Sequence, residues 1–209
     1  MVIVDECHHA AAVTHENVLR AVTARYVYGM SATINRGDKQ DKKMFMQLGP
    51  IRHRYTAKER AQKQGIGHYI YPRFTRLVDL NPSEGKNPSD YYRLIMQSEL
   101  RNMQVVSDTI DCVKRGRTPV IMTKYKEHAQ KLYDMLQGSA DHVFLLQGGK
   151  SLKERSAIRE QMAAVRADES IILVAIGQYV GEGFNYPRLD TMLLAMPISL
   201  EGNVEQHAG

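Results

Sequence analysis

The sequence predicts an α/β protein whose strands form parallel sheets. Short apolar runs of strand length alternate along the chain with segments whose apolar residues recur at helical spacing. This alternation is typical of parallel sheets that carry helices on both faces. The chain has 209 residues, of which 43% are hydrophobic, so it can bury the cores of one or two domains.

The first elements predict a strand–helix–strand unit. The apolar run Met1–Val4 predicts a buried strand that ends abruptly at Asp5 and Glu6. Residues 16–24 have helix-compatible apolar spacing, and residues 25–28 form a second β-rich run. A strand, a helix and a second strand in this order form the repeating unit of a parallel sheet.

A polar segment separates this unit from the rest of the chain. Residues 80–90 are rich in Asn, Pro, Ser and Gly, a composition that predicts a linker. We therefore expect a first domain over residues 1–79 and a second over residues 91–209.

Helices and strands alternate again in the second part. One long helix is predicted over residues 90–114. The following segments then predict, in chain order, a strand at 119–122, a helix at 126–136, a strand at 143–146, a helix at 152–165, and strands at 171–175 and 191–196.

The composition excludes several classes of protein. No apolar run approaches the roughly 20 residues that cross a bilayer, and the first residues lack a signal-peptide pattern. The two cysteines, Cys7 and Cys112, cannot form a disulfide framework. We expect a cytoplasmic protein without a membrane partner.

Positive charge is concentrated in one segment. The formal net charge is +5, and between Arg36 and Arg76 there are 11 basic residues against 3 acidic ones. Such a stretch suits a polyanionic partner, although a solvated surface gives the same pattern. Within it, three aromatic residues, Tyr69, Tyr71 and Phe74, predict either a stacking platform for bases or a half-buried edge strand.

Asp5 and Glu6 are the candidate catalytic carboxylates. Neighbouring side chains of an extended chain point to opposite sides, so Asp5 can hold Mg²⁺ while Glu6 addresses a water molecule. Phosphoryl transfer needs this division of roles. Two other interpretations stay open: the pair caps the next helix, or Cys7, His8 and His15 bind zinc.

Six segments resemble, in the correct order, the motifs of superfamily 2 helicases and translocases. Asp5-Glu-Cys-His8 resembles the DExH box, and Gly29-Met-Ser-Ala-Thr33 resembles the SAT motif. The bacterial DExH-box enzymes of the restriction and repair type are the most similar. The remaining segments are 119–125, similar to motif IV; 146–155, similar to the Gly…Lys-Glu-Arg segment after it; 180–187, similar to motif V; and 205–209, similar to the opening of motif VI.

The resemblance implies a fold, cofactors and partners. It implies two RecA-like domains of the P-loop NTPase type, the first truncated at its N-terminus, with ATP and Mg²⁺ between them. It implies DNA as the partner, with RNA as the alternative. An upstream helicase segment and a nuclease or other subunit are further expected partners, because the motifs run only from motif II to the start of motif VI.

The resemblance also implies roles for single residues. Asp5 is expected to hold Mg²⁺, Glu6 to activate water, and His8 to link the ATP site to the other domain. Gln206 is expected to face the nucleotide cleft. Coupling of hydrolysis to movement is assigned to Ser31, Ala32 and Thr33, cofactor binding to Gly181, Glu182, Gly183 and Asn185, and nucleic-acid binding to Arg36, Lys124, Gly148, Gly149 and Ile176.

Several departures from the family pattern bear on activity. No GxxxxGK[ST] phosphate loop occurs. Gly149-Lys-Ser151 matches the end of this motif, but Phe144 occupies the position of its first glycine. The sequence stops at Gly209, before the arginine of motif VI, and Ile176 and Asn185 replace the usual Thr and Asp. We therefore expect part of an ATP-dependent DNA helicase or translocase that lacks ATPase activity alone. The alternatives are a non-catalytic nucleic-acid-binding remnant and a zinc-dependent hydrolase.

Overall fold

The chain folds into two compact units, which lie within residues Met1–Ile70 and Tyr71–Ser199. The predicted α/β class with parallel strands is confirmed in both, whereas the domain boundaries 1–79 and 91–209 stay a prediction. The computed structural model describes residues 1–7, 10, 13–31, 41–56, 59, 62–63, 65, 67, 69–75, 87–147, 152–176 and 186–197.

The first unit contains the expected strand–helix–strand order. Strand β1 (Val2–Val4) pairs in parallel with strand β2 (Val27–Gly29), and helix α1 (Val13–Arg20) lies between them in the sequence. Helix α2 (Asp41–Leu48) follows β2. Helix α1 therefore starts and ends earlier than the apolar spacing over residues 16–24 predicted.

Strand β1 is not the buried strand that its apolar sequence predicted. The side chain of Ile3 is 53% exposed. Among the described residues this sheet has two strands, so a short apolar strand is covered only in part. The small core of the unit consists of Cys7, Ala10 and Met44, with Val4, Leu19, Phe45 and Leu48 packed against it.

In the described residues of the second unit, four parallel strands form a sheet with the strand order β4-β5-β3-β6. Its elements are helix α3 (Pro88–Gln97), helix α4 (Glu99–Lys114), strand β3 (Pro119–Thr123), helix α5 (Lys126–Met135), strand β4 (His142–Leu146), helix α6 (Leu152–Ala164), strand β5 (Ile171–Ile176) and strand β6 (Thr191–Leu194).

Strand β5 is the centre of the core of this unit. All six of its residues are buried, as expected for a parallel strand covered on both faces. Ile172 and Val174 pack into one cluster with Leu132 of α5, whereas Leu173 packs into a second cluster with Met162 of α6. The alternation along β5 thus places helices on both faces of the sheet.

The long helix predicted over residues 90–114 is two helices. Ser98 separates α3 from α4 with φ −67° and ψ 101°, which is extended backbone. Its N–H donates to the Leu94 carbonyl, and its carbonyl accepts from the Asn102 N–H. Serine is favoured at such helix ends, but apolar spacing that continues across the break conceals it.

Helix α3 also begins inside the range expected to be a linker. Pro88 occupies the start of the helix, where its fixed φ and missing N–H are tolerated. The Asp90 carboxylate accepts a hydrogen bond from the Asn87 N–H at 3.1 Å. The last residues of the range 80–90 therefore belong to a helix, and residues 80–86 lie outside the described part of the chain.

Two further expectations can be compared with these elements. Residues 69–75 belong to no strand, so the edge strand proposed for Tyr69, Tyr71 and Phe74 is wrong for this segment. No helix within the described ranges is long and apolar enough to cross a bilayer.

Candidate active site at the end of the first strand

The candidate carboxylates lie in a turn directly after β1. Glu6 has a φ of 45°, and it is the one non-glycine residue with positive φ among the described residues. This left-handed conformation costs an L-residue roughly 1–2 kcal/mol, and such strain clusters at functional sites. The expectation of an extended chain at Asp5 and Glu6 was therefore wrong, because a turn separates the two carboxylates instead.

Hydrogen bonds fix this turn on both sides. The Glu6 N–H donates to Oδ1 of Asp5 at 2.9 Å. The Cys7 N–H donates to the Met30 carbonyl at 2.8 Å, and the Met30 N–H donates to the Val4 carbonyl at 2.8 Å. The carboxylate pair is thereby joined to the end of β2, directly before Ser31.

Gly29 allows the two chain segments to approach closely. A Cβ atom at this position would lie 2.7 Å from Cδ1 of Leu48 and 2.8 Å from Sγ of Cys7. Real Cβ atoms do not make such contacts with packed neighbours, so only glycine fits without displacement. The glycine of the SAT-like segment thus has a packing role beside the carboxylates.

The donor chemistry of Asp5 fits Mg²⁺ better than zinc. Mg²⁺ takes oxygen ligands and commonly uses one or two carboxylates together with phosphate and water oxygens. Asp5 is exposed at the strand end, and its Oδ2 is not engaged by the Glu6 N–H, which binds Oδ1. The GxxxxGK[ST] motif, whose amides and Lys hold a triphosphate, does not occur in the sequence.

The zinc interpretation loses support at Cys7. This side chain is 7% exposed, and burial raises the pKa of its thiol, whereas zinc requires the thiolate. Within the described residues no group of three or more His, Cys, Asp and Glu side chains could hold a metal ion. His8 lies outside those residues.

Lys124, a predicted nucleic-acid contact, lies at the end of β3. Lys124 follows this strand and is exposed. Its Nζ is 4.4 Å from the ring centroid of Tyr92 and 5.8 Å from that of Tyr125. The two rings are tilted, with centroids 5.9 Å apart. The rings orient the ammonium through cation–π contacts and leave it exposed for a phosphate.

A buried polar network lies behind Lys124. Nδ1 of His128 is 2.8 Å from Oγ1 of Thr123, and Nε2 of His128 is 3.0 Å from Oδ1 of Asn102. Nδ2 of Asn102 donates to the Met96 carbonyl at 2.8 Å. Oδ1 of Asn102 is therefore the acceptor for Nε2–H, which leaves Nδ1 to accept the Thr123 hydroxyl.

Burial keeps this histidine neutral. His128 is 1% exposed, and its pKa is lowered to about 4 by burial and by the nearby charges of Arg101 and Lys131. No pattern in the sequence indicated this network, because its members lie on three elements. It fixes Thr123, the residue directly before Lys124.

Ile176 lies at the end of β5, opposite Thr123 in the parallel register. Its side chain is 6% exposed and belongs to the core. Contact with nucleic acid through this side chain therefore gains no support from its position, because a buried aliphatic group presents no surface to a phosphate.

The segment before β6 is anchored by two residues that sequence reasoning missed. The Tyr186 hydroxyl donates to the Met162 carbonyl at 2.8 Å. The Arg188 guanidinium donates to the carbonyls of Arg166 at 2.9 Å and Glu169 at 2.7 Å, just after the end of α6. These contacts fix the end of the motif V-like segment, through Tyr186, and the residue directly after it, Arg188.

The other candidate residues lie outside the described part of the chain. Their predicted roles stay predictions. They are His8, Ala32, Thr33, Arg36, Gly148, Gly149, Gly181, Glu182, Gly183, Asn185 and Gln206.

Comparison with known proteins gives a partial family match. Residues 1–36 match the family described as "Type III restriction enzyme, res subunit". Among solved structures, the chain is similar to the crystal structure of T4 UvsW, with a TM-score of 0.48 and 16% identity. The alignment covers 98% of this chain and 41% of that chain, so this chain spans less than half its length. No curated protein matched the sequence.

The matched residues include the carboxylate turn and β2. The family match therefore supports a relationship to the superfamily 2 helicases, which Asp5-Glu-Cys-His8 resembles. The DExH subtype and the limits of the motifs stay predictions.

Proposed function

We propose that the chain is part of an ATP-dependent DNA helicase or translocase in which Asp5 and Glu6 serve the hydrolysis of Mg·ATP. The strained turn at Glu6, joined by hydrogen bonds to the end of β2, carries the proposal. Strained backbone conformations cluster at functional sites, where they position catalytic or binding groups. A cytoplasmic location, and DNA or RNA as the bound polymer, belong to the same proposal.

In this mechanism the two carboxylates have separate tasks. Asp5 presents a carboxylate oxygen to Mg²⁺, which when bound neutralises charge on the transferred phosphoryl group. Glu6 orients the attacking water molecule and accepts its proton. Hydrogen bonds connect the turn to Met30, the residue directly before Ser31, and this connection supports a coupling role for residues 31–33.

The 209 residues contain no phosphate loop. Without its backbone amides and Lys, the β- and γ-phosphates lack their binding groups. We therefore propose that this chain alone binds nucleic acid but does not hydrolyse ATP. Its nucleic-acid affinity is expected to fall steeply with salt and to be independent of ATP.

Binding and hydrolysis measured on one preparation of the chain test this proposal. Salt-dependent binding of DNA or RNA without turnover agrees with it. Failure to bind either polymer at low salt would contradict it. Stoichiometric zinc in the purified protein would instead favour the zinc-dependent hydrolase.

Lys124 provides a specific test of the nucleic-acid contact. Replacement of Lys124 by glutamine removes one charge beside the Tyr92 ring while keeping most of the side-chain stem. We expect single-strand affinity to fall about 3- to 10-fold, and the slope of log affinity against log salt to lose about 0.7 to 1. Fluorescence anisotropy at several salt concentrations measures both quantities.

Lys114 is the matched control for this substitution. It is exposed at the end of α4 and precedes β3, whereas Lys124 follows that strand. We expect Lys114→Gln to leave affinity within twofold. An equal effect of both substitutions would show that Lys124 contributes only general charge.

A further inference from the structure

The segment Tyr71–Phe74, which we call the aromatic segment, exposes two aromatic side chains. Tyr71 is 80% exposed and Phe74 is 92% exposed. Aromatic side chains usually bury most of their surface, and exposed large apolar groups close together mark an interaction site. Neither the motifs nor the proposed hydrolysis assigns a role to this segment.

The segment is anchored while its rings stay exposed. Nε of Arg73 donates to Oδ2 of Asp108 in α4 at 2.8 Å, and Nη2 donates to Oδ1 at 2.7 Å. Pro72 restricts the backbone directly before Arg73. Tyr71 and Phe74 therefore flank a fixed point of the chain, which lowers the entropy lost when a ligand orders them.

The stretch of sequence that contains the segment is strongly basic, which favours a polyanion as the ligand. Between Arg36 and Arg76 there are 11 basic residues and 3 acidic ones. A protein partner would favour an apolar patch whose core is depleted of charge, whereas aromatic rings among cations are the composition of single-strand sites. The exposed basic side chains of the described residues in this stretch are Lys42, Lys43, Arg52, Arg54, Lys63 and Arg73.

We propose that the aromatic segment binds single-stranded nucleic acid by stacking unpaired bases on Tyr71 and Phe74. The inference rests on the proposed function only in that the protein acts on nucleic acid. Stacking requires an accessible ring face and an unpaired base, so the site discriminates single strands from duplexes and tolerates any base sequence.

A tryptophan at position 74 reports on the stacking directly. The chain contains no tryptophan, so in Phe74→Trp the emission of the indole comes from this position alone. We expect a thymidine oligonucleotide to quench this emission as it binds, and a duplex of equal length to leave it nearly unchanged. Equal quenching by both, or no quenching by a bound oligonucleotide, would overturn the proposal.

Leucine substitutions separate stacking from general apolar contact. Tyr71→Leu and Phe74→Leu keep an apolar side chain but remove the ring. We expect each to lower affinity for the thymidine oligonucleotide by about 5- to 150-fold. The salt dependence should not change, because no charge is lost. Ile70→Ala is the matched control, since Ile70 is equally exposed but has no ring, and it should stay within twofold.

The outcomes distinguish this inference from the proposed function. Unchanged affinity of the leucine variants, with tight binding by the unmodified chain, would overturn the stacking site and leave the helicase proposal standing. Failure of the unmodified chain to bind any nucleic acid would overturn both. Circular dichroism of each variant checks that it is folded. We expect all variants to fold, because the substituted rings are exposed and contribute little to stability.

Discussion

Replacement of His128 by alanine is expected to lower the free energy of unfolding of the second unit by about 4 kcal/mol. The imidazole joins Thr123 to Asn102, and these two residues are 4% and 0% exposed. Each buried polar group that loses its partner costs about 1–3 kcal/mol, and the vacated volume adds a cavity cost. The network holds α4, β3 and α5 together, so its loss also frees the backbone before Lys124.

Urea unfolding followed by circular dichroism measures this loss. Gln130→Ala on the exposed side of the same helix is the control, because Gln130 is bonded only to exposed Asp134. We expect the control to change stability by less than about 0.5 kcal/mol. A loss below about 1 kcal/mol for His128→Ala would show that the network contributes little.

The same histidine makes stability depend on pH. The folded protein protonates His128 with a pKa of about 4, whereas the ordinary value is 6.5. As pH falls, the unfolded chain takes up this proton first, so the equilibrium shifts toward unfolding. The free energy of unfolding therefore keeps its full value above pH 6.5 and falls as the pH decreases from 6.5 to 4. The total loss from this one histidine is about 3 kcal/mol.

Unfolding free energies measured from pH 7.5 to pH 4 check this dependence. His128→Gln keeps hydrogen-bonding groups but does not titrate, so its profile should be flatter across this range. An equally steep profile for this variant would assign the loss of stability to other groups.

Replacement of Glu6 by glutamine is expected to lower DNA-stimulated ATP turnover by about 10²- to 10⁴-fold, the usual contribution of a positioned base. The assay uses a longer protein, in which a phosphate-loop segment is placed before this chain and the motif VI arginine after it. Glutamine preserves the size of the side chain but cannot accept the proton of the attacking water. Binding of ATP and DNA should therefore be retained while turnover is lost.

Glu16→Gln is the control for this experiment. Glu16 lies on α1 in the same unit, where it forms a surface ion pair with Arg20 at 2.7 Å. We expect turnover within twofold of the unsubstituted protein, since exposed pairs of this kind contribute little. Similar turnover in the Glu6 and Glu16 variants would remove Glu6 from the mechanism.

The sequence predicted those features that depend on spacing along the chain. The apolar spacing predicted a strand at residues 171–175, and the structure has it at Ile171–Ile176, one residue longer and buried throughout. The apolar run before Asp5 predicted a strand that ends at the acidic pair, and strand β1 ends at Val4.

Features that depend on partners distant in the sequence could not be predicted in this way. His128 and Asn102 are 26 residues apart, and nothing in their neighbourhood signals that they meet. The left-handed turn at Glu6 is set by hydrogen bonds to Met30, a residue of another strand end. The break at Ser98 was concealed because the apolar spacing of a helix continues through it.

DNA-stimulated hydrolysis of Mg·ATP, compared between the 209-residue chain and a longer protein that adds the phosphate loop and the motif VI arginine, tests the central claim most directly. We predict no turnover by the chain alone, although it binds single strands, and DNA-stimulated turnover by the longer protein. Turnover by the chain alone that Glu6→Gln abolishes would reveal a phosphate site within these residues. Absence of turnover in a folded longer protein that binds both ATP and DNA would contradict the helicase assignment.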